Sequence, residues 1–225
     1  MKVYDLTPLI EPELAVFPGD VGYTREVSMD FKRGQHLLLS AFRTTFHLGA
    51  HADSSSHYHA QGEGIDKRDL QSYCGCTQVI KVAVKRGERI GVAHLNDRPI
   101  LAKRVLFCTG TFPNPRVWNS DFASLSPELI EYLDHQGVRL VGIDTPSVDP
   151  ETSKGLESHH ALYKTQMSVL EGIVLDGVPE SLYTLVALPL PFKDSDASPV
   201  RALLFEKPDL FSEQAWSVVQ TRSSW

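Results

Sequence analysis

Eight short runs rich in β-branched and apolar residues recur along the chain, at about 2–6, 36–46, 77–84, 104–109, 138–143, 169–175, 183–190 and 200–205. Their lengths are those of strands. The clearest helix between them starts at Ser126, a capping hydroxyl, followed by Pro127 in the first turn and Glu128 near the positive helix end, and Gly137 closes it. Leu129, Ile130 and Leu133 recur there at helical spacing, which predicts a buried face opposite Glu128, Glu131 and Asp134. Strands follow one another too often without a helix for a doubly wound sheet, so the pattern predicts an α/β fold on a mixed sheet. Pro18, Gly19 and Asp20 read as a hairpin-like turn. At 225 residues the chain fits one domain.

Charge and composition narrow the partners. The net charge is −6, from 22 Lys and Arg against 28 Asp and Glu, and no basic run offers a nucleic-acid surface. Residues 1–20 hold Asp5, Glu11, Glu13 and Asp20, which leaves no apolar signal core, and no later stretch approaches the ~18 apolar residues of a membrane span. The expected location is the cytoplasm, with a small-molecule partner and neither nucleic acid nor membrane. Three cysteines, Cys74, Cys76 and Cys108, are too few for a disulfide framework. Cys74 and Cys76 read as a turn leading into a strand at Thr77, since no second pair completes a thiolate site. Residues 207–225, with Phe211, Trp216 and Trp225, read as a short amphipathic terminal helix packed on its own or a neighbouring subunit.

Six of the nine histidines fall in two short stretches. The first, HLGAHADSSSH, holds His47, His51, Asp53 and His57 within eleven residues. A β-type run precedes it and Gly49 interrupts it, so a loop at a strand end is expected rather than a helix. There Gly49 lets the backbone turn, and two imidazoles and a carboxylate can converge on zinc, manganese or iron with positions left for water and substrate. His57, with an imidazole suited to proton transfer near neutrality, reads as a base beside the metal or as a further ligand. His59 reads as a surface residue.

His159 and Glu171 are twelve residues apart, ~18 Å on one straight helix, so sharing a metal demands a reversal. A short helix from His159 to about Lys164 capped by Ser158, followed by a strand from Val169 to Leu175, supplies one.

Together these residues resemble the cyclase-like metal-dependent hydrolases, and within them the bacterial kynurenine formamidases (arylformamidases). The marks are YDLTPLI at the start, FPGD at 17–20, HLGAHADSSSH, GIDTPSVDP at 142–150, SHH at 158–160, LEGIVLDGVPE at 170–180 and LPLPFKDSDASPVRA at 188–202. The resemblance spans residues 1–206 and implies a single hydrolase domain of swivelling β/β/α type, with 207–225 as an extension. It implies hydrolysis of N-formyl-L-kynurenine to L-kynurenine and formate in tryptophan catabolism, through hydroxide held by a metal pair. His47, His51 and Asp53 match ligands of one Zn2+, and Asp53, His159 and Glu171 ligands of a second, with Mn2+ as the alternative ion. Asp53 and Glu171 are the implied bridges, and His160 is the rival of His159. His57 matches the proton donor and acceptor, and Phe17 stands where a substrate-contacting tryptophan is usual. Ser54, Ser55 and Ser56 replace a usual small, proline-containing linker. Two rival readings are a related hydrolase of isatin, another cyclic amide or a lactone, and a metal-binding protein without catalysis. The family further implies a homodimer.

Overall fold

The structure is a computed structural model describing residues 1–210, so the expected terminal helix lies outside the described residues. The described strands are β1 (Val3–Asp5), β2 (Thr24–Met29), β3 (Leu39–Arg43), β4 (His51–Asp53), β5 (Cys74–Lys81), β6 (Arg89–Ile90), β7 (Arg104–Cys108), β8 (Ser124–Leu125), β9 (Leu140–Ile143), β10 (Ser168–Glu171), β11 (Ser181–Val186), β12 (Ala197–Pro199) and β13 (Leu203–Phe205). Two α-helices join them, α1 (Pro127–His135) and α2 (Glu157–Thr165).

A nine-stranded sheet runs in the order β1-β13-β11-β5-β7-β9-β10-β4-β12. Its centre, β5 to β10, is parallel, and its flanks are antiparallel. The mixed sheet expected from the sequence is therefore present. Central strands are covered on both faces, which explains why they read as continuous apolar runs. Val105, Phe107, Val141, Ile143 and Val169 pack with Leu129, Ile130 and Leu133 of α1 and Leu162 of α2. The alternate residues Leu106, Leu140 and Leu170 join a second core with Tyr183 and Leu185 of β11, Leu204 of β13 and Leu6. Residues from both ends of the strand order meet in that second core because the sheet curls. The protein is a single α/β domain.

Helix α1 forms as its sequence predicts: Ser126 accepts from the Leu129 amide at 3.2 Å, a cap worth about 1 kcal/mol. Helix α2 departs from expectation. It starts at Glu157 behind Leu156, whose φ is +46° and whose side chain caps nothing. Asp149 takes the capping role from the preceding loop, accepting from the amides of Ser158 and His159 at 3.0–3.1 Å. The Ser158 hydroxyl instead donates to the Leu125 carbonyl at 2.7 Å.

Other boundaries shift for local reasons. His51 and Asp53 lie on a short strand, β4, rather than in a loop. The expected strand from Val169 to Leu175 ends at Glu171, because Gly172 turns away at φ +64°. The Cys74 region is already strand, not a turn. Gly75 keeps it in register at φ +132° while the Arg104 guanidinium lies where a Cβ would project, and Arg104 donates to the Ser72 carbonyl at 2.8 Å. The Phe17–Asp20 turn closes with a 2.9 Å bond, but the hairpin nearby pairs β2 with β3. No helix among the described residues is long and apolar enough to cross a membrane.

Candidate metal centre and its cavity

Strand register assembles the centre. His51 lies opposite Glu171 and Asp53 opposite Val169 in the antiparallel pair of β4 and β10. Side chains two residues apart share a face. Val169 packs in the helix-side core, so His51, Asp53 and Glu171 face the side where α2 presents His159. His51 Nε2 lies 3.4 Å from Asp53 Oδ1 and 3.3 Å from Glu171 Oε2. His159 Nε2 lies 3.5 Å from Asp53 Oδ2 and 3.6 Å from Glu171 Oε1. His160 is exposed on the same helix, so of the two histidines it is His159 that lies beside Asp53 and Glu171.

Each imidazole is oriented through its other nitrogen. His51 Nδ1 lies 2.9 Å from the Gly49 carbonyl, and His159 Nδ1 lies 2.8 Å from Asp149. Donation at Nδ1 leaves the Nε2 lone pair free to ligate. Gly49 adopts φ +56°, and a Cβ there would stand 3.0 Å from Pro8. A Cβ on Gly172 would come 2.2 Å from the Gly49 carbonyl oxygen, so the two turns pack backbone to backbone. Glu171 Oε1 also accepts from the Val148 amide at 2.7 Å.

His51 Nε2, His159 Nε2 and both Asp53 oxygens are buried without a hydrogen-bond partner. Buried polar atoms ordinarily find one, and four such atoms converging from two imidazoles and a carboxylate form a donor set able to hold a cation. His47 differs. Its Nδ1 lies 3.0 Å from Asp53 Oδ1 and its Nε2 2.9 Å from Asp196 Oδ2, so ligation would replace one of these contacts. One ligand atom each from His47, His51 and Asp53 fall within 4.8 Å of one another, as do those of Asp53, His57 and His159, and of His47, His57 and Asp196.

Charge explains the proton affinities. Burial opposes charging of His47 and His159, but nearby carboxylates win and push them up to about 11 and about 10. Burial likewise opposes ionisation of Asp53, yet His47, His159 and His51 hold it well below the usual carboxylate range. The same carboxylate field would attract a metal ion. His57 is different: burial outweighs its neighbours and lowers its pKa, favouring neutral imidazole. Its ring sits 4.2 Å from that of His47 and 5.8 Å from that of His159, centre to centre.

A cavity of about 410 Å³ opens over His47, His51, His57, His159 and Glu171. Phe17 lines it and meets Trp118 edge to face at 5.3 Å, and Phe112 extends this wall. The serines after Asp53 do not line it. Ser54 is buried, and its hydroxyl contacts the carbonyls of Ser195 and Asp196 at 3.0 and 2.9 Å, tying down the loop that carries Asp196. His59, read as a surface residue, is half-buried, its ring stacked on Tyr163 at 3.7 Å between centres.

Sequence reasoning assigned no role to Asp149, Asp196, Trp118 or Glu151. The two aspartates lay inside quoted motifs, and the ion-pairing of Asp149 with Arg89 at 2.8 Å is a tertiary contact that no spacing reveals.

Comparison with known proteins agrees with this architecture. The family model described as "Putative cyclase" matches residues 4–150. Kynurenine formamidase of Delftia acidovorans is 39% identical over 207 residues, covering 90% of this chain and 97% of that protein. That of Maricaulis maris is 38% identical, covering 92% and 99%. A solved structure described as a potential metal-dependent hydrolase with cyclase activity superposes with a TM-score of 0.78 at 25% identity, covering 90% of this chain and 96% of its own. Isatin hydrolase A from Labrenzia aggregata shares the fold, with a TM-score of 0.78 at 20% identity, covering 90% of this chain and 93% of its own. Matched in this way over most of its length, the chain belongs to the putative cyclase family and is an enzyme.

Proposed function

We propose that the protein is a metal-dependent arylformamidase that hydrolyses N-formyl-L-kynurenine to L-kynurenine and formate, within tryptophan catabolism. The observation that carries this reading is the set of buried ligand atoms on His51, Asp53 and His159, without hydrogen-bond partners, that converge beneath an aromatic-walled cavity. The kynurenine formamidase relatives, matched over nearly their whole length, support the substrate.

His47, His51 and Asp53 would hold one ion, and Asp53, His159 and Glu171 a second. The histidine and carboxylate donor set suits Zn2+, with Mn2+ as the alternative. Divalent ions there supply Lewis acidity, which acidifies water and polarises a formyl carbonyl. The remaining work falls to the chain. Phe17 and Trp118 present faces and edges to an aryl ring and keep bulk water from one side of it. His57 accepts a proton from the attacking water as the new C–O bond forms. It then delivers that proton to the anilide nitrogen as the C–N bond breaks, because an anilide leaves poorly as an anion. The products are formate and the free arylamine.

The same reading takes the enzyme as a cytoplasmic homodimer, with residues 1–206 as the hydrolase domain. Three cysteines are too few for a disulfide framework, which agrees with a reducing compartment. Elemental analysis and formate release, measured before and after chelation and after restoring the metal, test the proposal. About two ions per chain, with activity lost and regained together, is the expected result. Faster turnover of isatin than of N-formylkynurenine would overturn the substrate, and undiminished turnover after complete metal removal would overturn the mechanism.

A further inference from the structure

We propose that Glu151, held against Trp118, selects aromatic amides that carry an ammonium group remote from the scissile bond. This deepens the formamidase reading by naming the group on the substrate that the cavity recognises, and it rests on that reading.

Among the described residues the cavity lining contains no Lys and no Arg, while several carboxylates reach it. Most of these are already engaged. Asp144 is buried and accepts from the Thr109 and Gly110 amides at 2.8–3.0 Å, and Asp20 accepts from the Thr45 hydroxyl at 3.2 Å. Glu171 belongs to the metal centre. Glu151 stands apart, because it meets the aromatic wall. Its Oε2 accepts from Trp118 Nε1 at 2.7 Å, and no hydrogen bond or ion pair among the described residues engages its Oε1.

The indole bond fixes the carboxylate at the edge of the Phe17–Trp118 wall. An aryl ring resting on that wall would place its substituent beside a pre-oriented anion. An ammonium there gains a charge-assisted hydrogen bond and the faces of nearby rings, with no Lys or Arg among the described lining residues to compete for the carboxylate. A neutral bicyclic amide of similar size has no positive charge to offer the carboxylate, whose desolvation would then be poorly compensated. The cavity is thus biased by charge toward amino-acid-like aryl amides and against flat neutral ones. Asp176 also reaches the cavity but is exposed and has no aromatic partner, which makes it the natural control.

Glu151→Gln separates charge from packing, since the amide oxygen still accepts from Trp118. Calorimetry on the metal-loaded protein would measure binding of L-kynurenine and of its desamino analogue, which keeps the ring, ketone and carboxylate. The expected result is a preference for L-kynurenine of about tenfold in the native protein, abolished in E151Q with binding of the analogue unchanged, and retained in Asp176→Asn. With N-formylkynurenine, E151Q should raise KM by a similar factor and leave kcat within about twofold. Equal weakening of both ligands, a preference that survives in E151Q, or one lost in D176N would overturn the inference. If native enzyme releases no formate yet discriminates the two ligands through Glu151, the formamidase reading fails and the ammonium site stands. If it releases formate without discriminating, the reverse holds.

Discussion

The floor and the wall of the cavity are built in opposite ways. The floor draws His51, Asp53 and Glu171 from paired strands and His159 from a helix start, all nearly inaccessible to solvent. The wall draws Phe17, Phe112 and Trp118 from segments without regular structure, and Phe17 remains 37% exposed. Floor residues are held twice, by ladder or helix and by a second hydrogen bond to each imidazole. Wall residues are held mainly by one another. The lesson is that, in the proposed function, reaction chemistry is anchored in the sheet, where displacement is resisted from all sides. Substrate choice is left to loops that can change without disturbing it.

Substitutions can test how sharp that division is. Asp53→Asn should have the largest effect, removing a charge that both ion positions would use. Loss of bound metal by elemental analysis and at least a ~1000-fold fall in formate release are expected, and retention of metal would remove Asp53 from the floor. Next, His57→Ala should keep the metal and lower kcat by about 100-fold or more. Metal loss in that variant would make His57 a ligand.

Asp149→Asn probes support without contact. It keeps the size of the cap but weakens the hold on His159 Nδ1, so metal affinity should fall by about 10- to 100-fold in a chelator competition. Unchanged affinity would mean that helix packing alone orients His159. The smallest effect belongs to the wall: Phe17→Ala should raise KM several-fold, in line with the ~1 kcal/mol of an aromatic pair, with metal content unchanged. If F17A loses metal, floor and wall are coupled and the division fails.

The same division decides what the sequence could reveal. Histidines and carboxylates crowd within short windows, so His47, His51, Asp53 and His57 stood out, and the reversal required between His159 and Glu171 exists as α2 followed by β10. Their supports were hidden. Asp149 acts on a helix that begins eight residues later, and Asp196 reaches His47 from the far end of the chain. Such contacts depend on the curled sheet, which local pattern does not encode. Strand limits misread for a related reason. β4 is only three residues long and holds two ligand candidates, so its polar composition masked it as a loop. Ser158 looked like a cap because serine favours that position. The true cap, Asp149, comes from the loop that leads into the helix and leaves Ser158 free to bond Leu125 and Arg89.

Gly172 sets an unusual limit on how this protein can evolve. A side chain there collides with the carbonyl oxygen of Gly49, an atom that every amino acid carries, so no substitution at position 49 can make room. Relief would require shifting the turn itself. That carbonyl is also the partner of His51 Nδ1, so the shift would swing an imidazole of the centre out of line. A lineage that loses this glycine has no suppressor available among the side chains around it, and the damage would appear as misaligned chemistry as well as lost stability.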